Sequence, residues 1–140
     1  MKNNFKYRVA ILGVGYVGLP LALQSGKIYE TIAFDSKEER IDSLNKNIDL
    51  NNDFTSSDIE SVLSKKKLKF TSKISLLGGS NFFIVTVPTP IDENNIPDMS
   101  FLKSACEDIS KYLNKGGIVV FESTVYPGAI EEFCVPILER

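Results

Sequence analysis

Short, continuous apolar runs alternate along this chain with longer stretches in which apolar residues recur every three or four positions. The first kind predicts strands buried on both faces, the second helices packed against them. On this pattern residues 7–12 form a strand and residues 16–25 a helix with Val17, Leu21 and Gln24 along one side. Residues 30–34 form a second strand ending at Asp35, and Ser36 is placed to cap a helix running to Asn45. Glu38 and Glu39 fall in that helix's first turn, where acids suit the helix dipole.

The Asn- and Asp-rich stretch 47–55 reads as a surface loop, followed by an amphipathic helix over 57–64 capped by Ser56 or Ser57. Residues 68–71 are a third strand, and 74–78 a helical turn closed by Gly78 and Gly79. The most hydrophobic strand covers 81–87 and is halted by Pro88 and Pro90, with a polar loop over 91–97. The clearest helix is 99–113, with Leu102, Ala105, Cys106, Ile109 and Leu113 on one face and Gly116-Gly117 at its end. A buried strand over 118–121 and a helix over 127–138 complete the series. Strand–helix alternation of this kind predicts one α/β domain over 1–140: a doubly wound, mostly parallel sheet of Rossmann type with helices on both faces.

Composition narrows the function classes. At 43% hydrophobic and 24% charged the chain is an ordinary globular one, long enough to bury roughly two-thirds of its unfolded surface. A formal net charge of −2 gives no field for nucleic acid or an anionic membrane. The run Lys65-Lys66-Lys67 follows a polar helix and reads as its solvated end. No apolar run approaches the roughly 20 residues of a membrane span. Met1-Lys2-Asn3-Asn4 leads into a strand without an apolar leader segment, so a cytoplasmic protein is expected. Cys106 and Cys134 fall inside predicted helices and read as small buried hydrophobes kept reduced. Histidine is absent, which excludes an imidazole base and any His-containing metal site within the chain, and no metal is expected.

Gly13-Val14-Gly15-Tyr16-Val17-Gly18 has the G-x-G-x-x-G spacing at the end of a predicted strand and the start of a predicted helix. Gly13 permits a tight turn, Gly15 lets phosphates approach the backbone, and Gly18 lets the helix pack closely on the strand. A pyrophosphate would lie against free N–H groups and the positive end of the helix dipole. A glycine turn with no ligand is the alternative, but an acid is expected about 20 residues on to hold the adenosine ribose, and Asp35 stands there. Its carboxylate would repel a 2′-phosphate, which favours NAD over NADP. Arg40, one turn into the next helix, either reaches a 2′-phosphate, pairs with Asp35 or lies on the adenine.

Val85-Thr86-Val87-Pro88-Thr89-Pro90 closes the strongest inner strand, at the edge where ligands collect in such sheets. Its prolines stiffen the loop and its threonines offer hydroxyls to the cofactor crevice; a rigid surface turn is the structural alternative. Glu122-Ser123-Thr124-Val125-Tyr126-Pro127-Gly128 follows the next strand in the same way. Ser123 and Thr124 either cap the following helix or face the nicotinamide end of the cofactor.

Together, residues 9–20, Thr86-Val87-Pro88-Thr89-Pro90, and Glu122-Ser123-Thr124 with Pro127-Gly128 resemble the UDP-glucose/GDP-mannose dehydrogenases, over their NAD-binding domain. Tyr16-Val17-Gly18-Leu19 is more specific to that family than the glycine spacing. The run from Glu122 through Gly128, with Glu131-Glu132 and Cys134-Val135-Pro136-Ile137-Leu138, looks most like the UDP-N-acetylhexosamine 6-dehydrogenases of polysaccharide synthesis. Enzymes of this kind oxidise the C6 hydroxymethyl of a UDP-sugar to a carboxylate with two NAD, through a thiohemiacetal and a thioester. The resemblance implies that Gly13, Gly15, Gly18, Asp35 and Arg40 contact the adenosine diphosphate half, with Val14, Tyr16 and Val17 in the same turn. It implies that Val85 and the Thr86–Thr89 stretch line the cofactor, that Ser123 touches it, and that Thr124 helps to position an active-site water. It places the family's nucleophilic cysteine, lysine, asparagine and glutamate base, its dimerisation helix and its UDP-binding domain beyond Arg140. Catalysis by this chain alone is therefore not expected, and the full-length enzyme is expected to be a homodimer. A free-standing, non-catalytic nucleotide-binding module is the competing reading. A hydroxy-acid or 6-phosphogluconate dehydrogenase fits the 88–90 and 122–128 stretches poorly.

Overall fold

The computed structural model describes residues 6–140; the Met1–Asn4 stretch lies outside the described residues. Five strands, β1 (Arg8–Leu12), β2 (Glu30–Phe34), β3 (Leu68–Thr71), β4 (Phe82–Val85) and β5 (Ile118–Phe121), form one parallel sheet in the order β3-β2-β1-β4-β5. The order reverses direction between β1 and β4. That switch point opens a crevice at the strands' carboxyl ends.

Helices lie on both faces of the sheet, as apolar strands require. Val9 and Ile11 of β1 point into one layer with α1 (Gly18–Ser25), α2 (Glu38–Asn45) and α3 (Ser56–Leu63). At the β4–β5 end the side facing α1–α3 is only partly covered: Phe82, Ile84 and Val120 are half-buried and Ile118 is exposed. Ala10 and Leu12 point into the other layer, with α4 (Ser100–Ser110) and α5 (Val135–Leu138). Cys106 and Cys134 lie fully buried in this second layer as free thiols. Burial pushes the Cys106 thiol up to about 12, with neighbouring Cys134 adding to the effect.

The elements stand where the hydrophobic pattern puts them, but several ends, one helix face and the burial of one strand differ. The strand over 118–121, expected to be buried, is β5 at the sheet's edge, where Ile118 is exposed and Val119, Val120 and Phe121 are only half-buried. The buried side of α1 is Leu19, Ala22 and Leu23; Val17 and Gln24 are exposed and Leu21 is only partly covered. The predicted face fails because α1 starts at Gly18, so Val17 belongs to the turn. Ser36 caps nothing: α2 begins after Lys37, whose N–H goes to the Asp35 carboxylate at 3.0 Å. For α3 the cap is Thr55 rather than Ser56 or Ser57, in a reciprocal box with Asp58. The helix expected over 99–113 ends at Ser110, and Leu113 packs from the turn beyond it. The helix expected over 127–138 starts only at Ile130, because Pro127 precedes Gly128 at φ +87°. It opens as a π-turn (Ile130–Cys134) before α5, in which Pro136 lacks an N–H for the Glu132 carbonyl. The 91–97 loop is pinned by an antiparallel bridge between Ile91 and Pro97. Lys65-Lys66-Lys67 is an exposed turn after α3. No described helix is long and apolar enough to cross a membrane.

Candidate functional site

The crevice at the switch point is a cavity of about 630 Å³ framed by the β1–α1 turn, the β2 exit, the β4 and β5 exits and one face of α4. Each fingerprint glycine meets a different constraint. Gly13 sits at φ +96°, and a Cβ there would lie 2.9 Å from the Thr86 carbonyl oxygen. A Cβ on Gly18 would overlap the Gly13 carbonyl oxygen, so only glycine lets α1 approach β1 this closely. A Cβ on Gly15 would meet nothing within 4 Å and would project into open space. The N–H groups of Gly15, Tyr16 and Val17 make no hydrogen bond among the described residues. Free donors, open space and the helix start together fit the pyrophosphate of a dinucleotide.

The turn is gripped from behind. Val14 donates its N–H to Asp35 Oδ2 at 2.9 Å, and Arg40 Nε donates to the Val14 carbonyl at 2.9 Å. Arg40 is 8% exposed and its Nη1 bonds Asp49 Oδ1 at 2.6 Å; its Nη2 is buried without a partner among the described residues. The three options for Arg40 thus resolve differently: its ion-pair partner is Asp49, not Asp35, and it lies beneath the turn rather than at the cavity wall. Burial opposes ionisation of Asp49, but the Arg40 guanidinium and the N–H groups of Asn51, Asp53 and Phe54 outweigh it and hold the carboxyl below its ordinary value.

Hydroxyls stitch the remaining rim together. Thr86 Oγ1 donates to Gly13 O at 2.7 Å and to Leu12 O at 3.1 Å, tying the β4 exit to the glycine turn. Ser123 Oγ donates to Val87 O at 2.6 Å and Thr89 Oγ1 to Thr124 O at 2.5 Å, tying the β5 exit to the β4 exit. Neither Ser123 nor Thr124 caps a helix, since Ala129 is the cap residue and has no side-chain bond. Thr124 lines the cavity, and its hydroxyl makes no hydrogen bond among the described residues.

Of the residues singled out in the sequence, Gly13, Gly15, Tyr16, Val17, Asp35, Thr86, Val87, Pro88, Thr89, Ser123 and Thr124 line this one cavity. Val14, Gly18, Arg40 and Val85 do not; all four are buried behind it. Sequence reasoning missed Lys37, beside Asp35, and the α4 stripe of Phe101, Ser104, Ala105 and Asp108. That stripe has the i, i+3, i+4, i+7 spacing and adjoins the buried face, so its signal was present in the helix's period. Glu122 also lines the cavity, at the β5 exit. No group of three or more acidic or sulfur ligands suited to a metal occurs among the described residues.

Comparison with known proteins gives one family. Residues 7–140 match the NAD binding domain of the UDP-glucose/GDP-mannose dehydrogenase family. The chain is 47% identical over 133 residues to the UDP-N-acetyl-D-glucosamine 6-dehydrogenase of Salmonella typhi, covering 95% of this chain and 31% of that protein. The enzyme of the same name from Pseudomonas aeruginosa matches equally, at 47% over 133 residues and the same coverage. Among solved structures, UDP-D-ManNAc dehydrogenase from Pyrococcus horikoshii superposes with a TM-score of 0.86 at 32% identity, over 95% of this chain and 33% of that one. The chain thus spans about a third of the length of the relatives it matches.

Proposed function

The chain belongs to the UDP-glucose/GDP-mannose dehydrogenase family, as its NAD-binding domain, and we propose that it serves a UDP-N-acetylhexosamine 6-dehydrogenase. Such an enzyme oxidises the C6 hydroxymethyl of its UDP-sugar to a carboxylate. The observation that carries the cofactor part of this reading is the trio of N–H groups at Gly15, Tyr16 and Val17 with no hydrogen bond among the described residues, beside the open space at Gly15. In this reading those groups take the pyrophosphate, and Asp35 takes the adenosine ribose at the tip of β2. The Val87–Thr89 stretch and Ser123 line the path toward the nicotinamide, braced by the hydroxyl bonds between the two strand exits. Val14, Gly18, Arg40 and Val85 support the same surface from behind. Thr124, which lines the cavity with its hydroxyl unspent, is in this reading the residue that helps to position an active-site water. Bound NAD supplies the hydride acceptor.

The nucleophilic thiol of the reaction belongs outside these 140 residues in this proposal. Cys106 and Cys134 are 0% exposed, and burial raises both thiols, Cys106 to about 12, so they yield little thiolate at neutral pH. Residues 1–140 are accordingly proposed as the N-terminal domain of a longer, cytoplasmic, homodimeric enzyme whose other parts hold the UDP-sugar.

Calorimetric titration of the 140-residue chain with NAD, paired with a turnover assay on UDP-N-acetylglucosamine and UDP-N-acetylgalactosamine, tests the proposal. Saturable NAD binding without acid formation is the expected result, with acid formed by the full-length protein. Absence of NAD binding overturns the cofactor site, and acid formation by the chain alone overturns the placement of the nucleophile.

A further inference from the structure

Two consecutive peptide units of the glycine turn are held by side chains from elsewhere in the fold. In the Gly13–Val14 unit the carbonyl accepts from Thr86 Oγ1 at 2.7 Å, and the N–H donates to Asp35 at 2.9 Å. In the Val14–Gly15 unit the carbonyl accepts from Arg40 Nε at 2.9 Å, and the N–H at its other end, on Gly15, is unbonded among the described residues. A trans peptide is planar, with its C=O and N–H pointing in opposite directions. A buried guanidinium on the Val14 oxygen therefore fixes the Gly15 N–H to point away from Arg40. Its charge also polarises the peptide, which makes that N–H a stronger donor.

What aims Arg40 is Asp49. The Arg40 Nη1–Asp49 Oδ1 bond is 2.6 Å, between side chains 10% and 0% exposed. Asp49 is itself fixed by Asn51 N at 3.1 Å, Asp53 N at 2.9 Å and Phe54 N at 3.1 Å, so its two oxygens serve four donors. We propose that Asp49 is a positioning residue for the cofactor, setting the Gly15 N–H through Arg40 and the Val14 carbonyl. The inference rests on the reading that the turn takes the pyrophosphate of NAD. It assigns a role in cofactor binding to the loop after α2, which contributes no residue to the cavity wall.

Ligands with and without a pyrophosphate separate positioning from plain stability. Asp49→Asn leaves one oxygen for four donors, and it is expected to weaken NAD and ADP binding five- to tenfold while leaving adenosine binding within twofold of the parent. Arg40→Lys keeps the charge but removes the Nε donor; the same selective loss is expected, with an upfield shift of the Gly15 amide proton in the ligand-free protein. In the Arg40→Lys background Asp49→Asn should then change NAD affinity by less than twofold, because both act on one peptide. Unchanged NAD affinity in Asp49→Asn, equal losses for NAD and adenosine, or losses that multiply in the double variant would each overturn the inference. If Asp49→Asn does not fold, Arg40→Lys carries the test by the same ligand series and the Gly15 amide shift. Failure of the parent chain to bind NAD overturns the underlying reading instead.

Discussion

Asp35 bonds the Val14 N–H with one carboxylate oxygen at 2.9 Å and the Lys37 N–H with the other at 3.0 Å. One side chain thus joins the end of β1 to the start of α2, and both oxygens retain lone pairs for a ribose. Removing the carboxylate as Asp35→Ala is expected to weaken NAD binding by about 1.5–3 kcal/mol, the scale of a lost hydrogen bond to a charged group. Adenosine affinity should fall in parallel, since the ribose belongs to both ligands. Calorimetry with NAD and adenosine checks this, and unchanged affinities would remove Asp35 from the ribose site.

The glycines separate binding from folding. Gly15→Val places its side chain in open space, so thermal stability should stay close to that of the parent while NAD binding is lost. Gly18→Ala puts a Cβ onto the Gly13 carbonyl oxygen, and the forced shift should cost about 1–3 kcal/mol of stability, as overpacking does. Thermal melts of both variants alongside NAD titration test the distinction. A Gly15→Val protein that still saturates with NAD would place the pyrophosphate elsewhere.

Most of the sheet and most of the cavity wall were legible because they follow from periodicity and from glycine spacing, both local properties. The Asp35 position was legible too, since one strand and one helix fix its distance from Gly13. Arg40 was not. Its partner Asp49 lies nine residues on, in a stretch whose polar composition gives only a loop, and nothing local shows that the loop folds back beneath the turn. The sequence leaves the Thr86 and Thr89 hydroxyls between a cofactor crevice and a rigid turn, and Ser123 between a helix cap and the cofactor; in the fold each donates to a carbonyl of a neighbouring strand exit. Such bonds depend on which strands are adjacent, and strand order is a tertiary fact. The late start of the last helix follows from Gly128, whose positive φ ends any right-handed helix run through it, a backbone angle the sequence does not show.

Cys106 and Cys134 should resist thiol reagents while the chain is folded. Both are 0% exposed, and burial raises both thiols, Cys106 to about 12. Thiolate is the reactive form, so at pH 8 neither cysteine should react with a disulfide dye within minutes, and two equivalents should appear on unfolding in guanidinium. Fast labelling of either thiol in the folded chain would contradict the packing of α4 against the π-turn.

Acid should destabilise this fold through its hydrogen-bonded aspartates. Burial opposes the charge on Asp49, but Arg40 and three backbone N–H groups outweigh it, so its folded value lies below the ordinary 3.8. Asp58 is lowered by the Thr55 hydroxyl and N–H, and Asp98 by Ser100. A carboxyl that is more acidic when folded contributes fully above its unfolded value, and that contribution is lost as pH falls through the folded one. Stability in urea should therefore be flat from neutral pH down to about pH 4 and decline below it. Asp49→Asn cannot titrate and leaves the Arg40 guanidinium buried without its carboxylate. It should lower the neutral plateau by about 3–5 kcal/mol and make the acid decline shallower. Urea melts of parent and variant at pH 7 and pH 3 measure both effects. An acid decline of equal slope in the two proteins would mean that Asp49 is not the carboxylate whose protonation unlocks the turn.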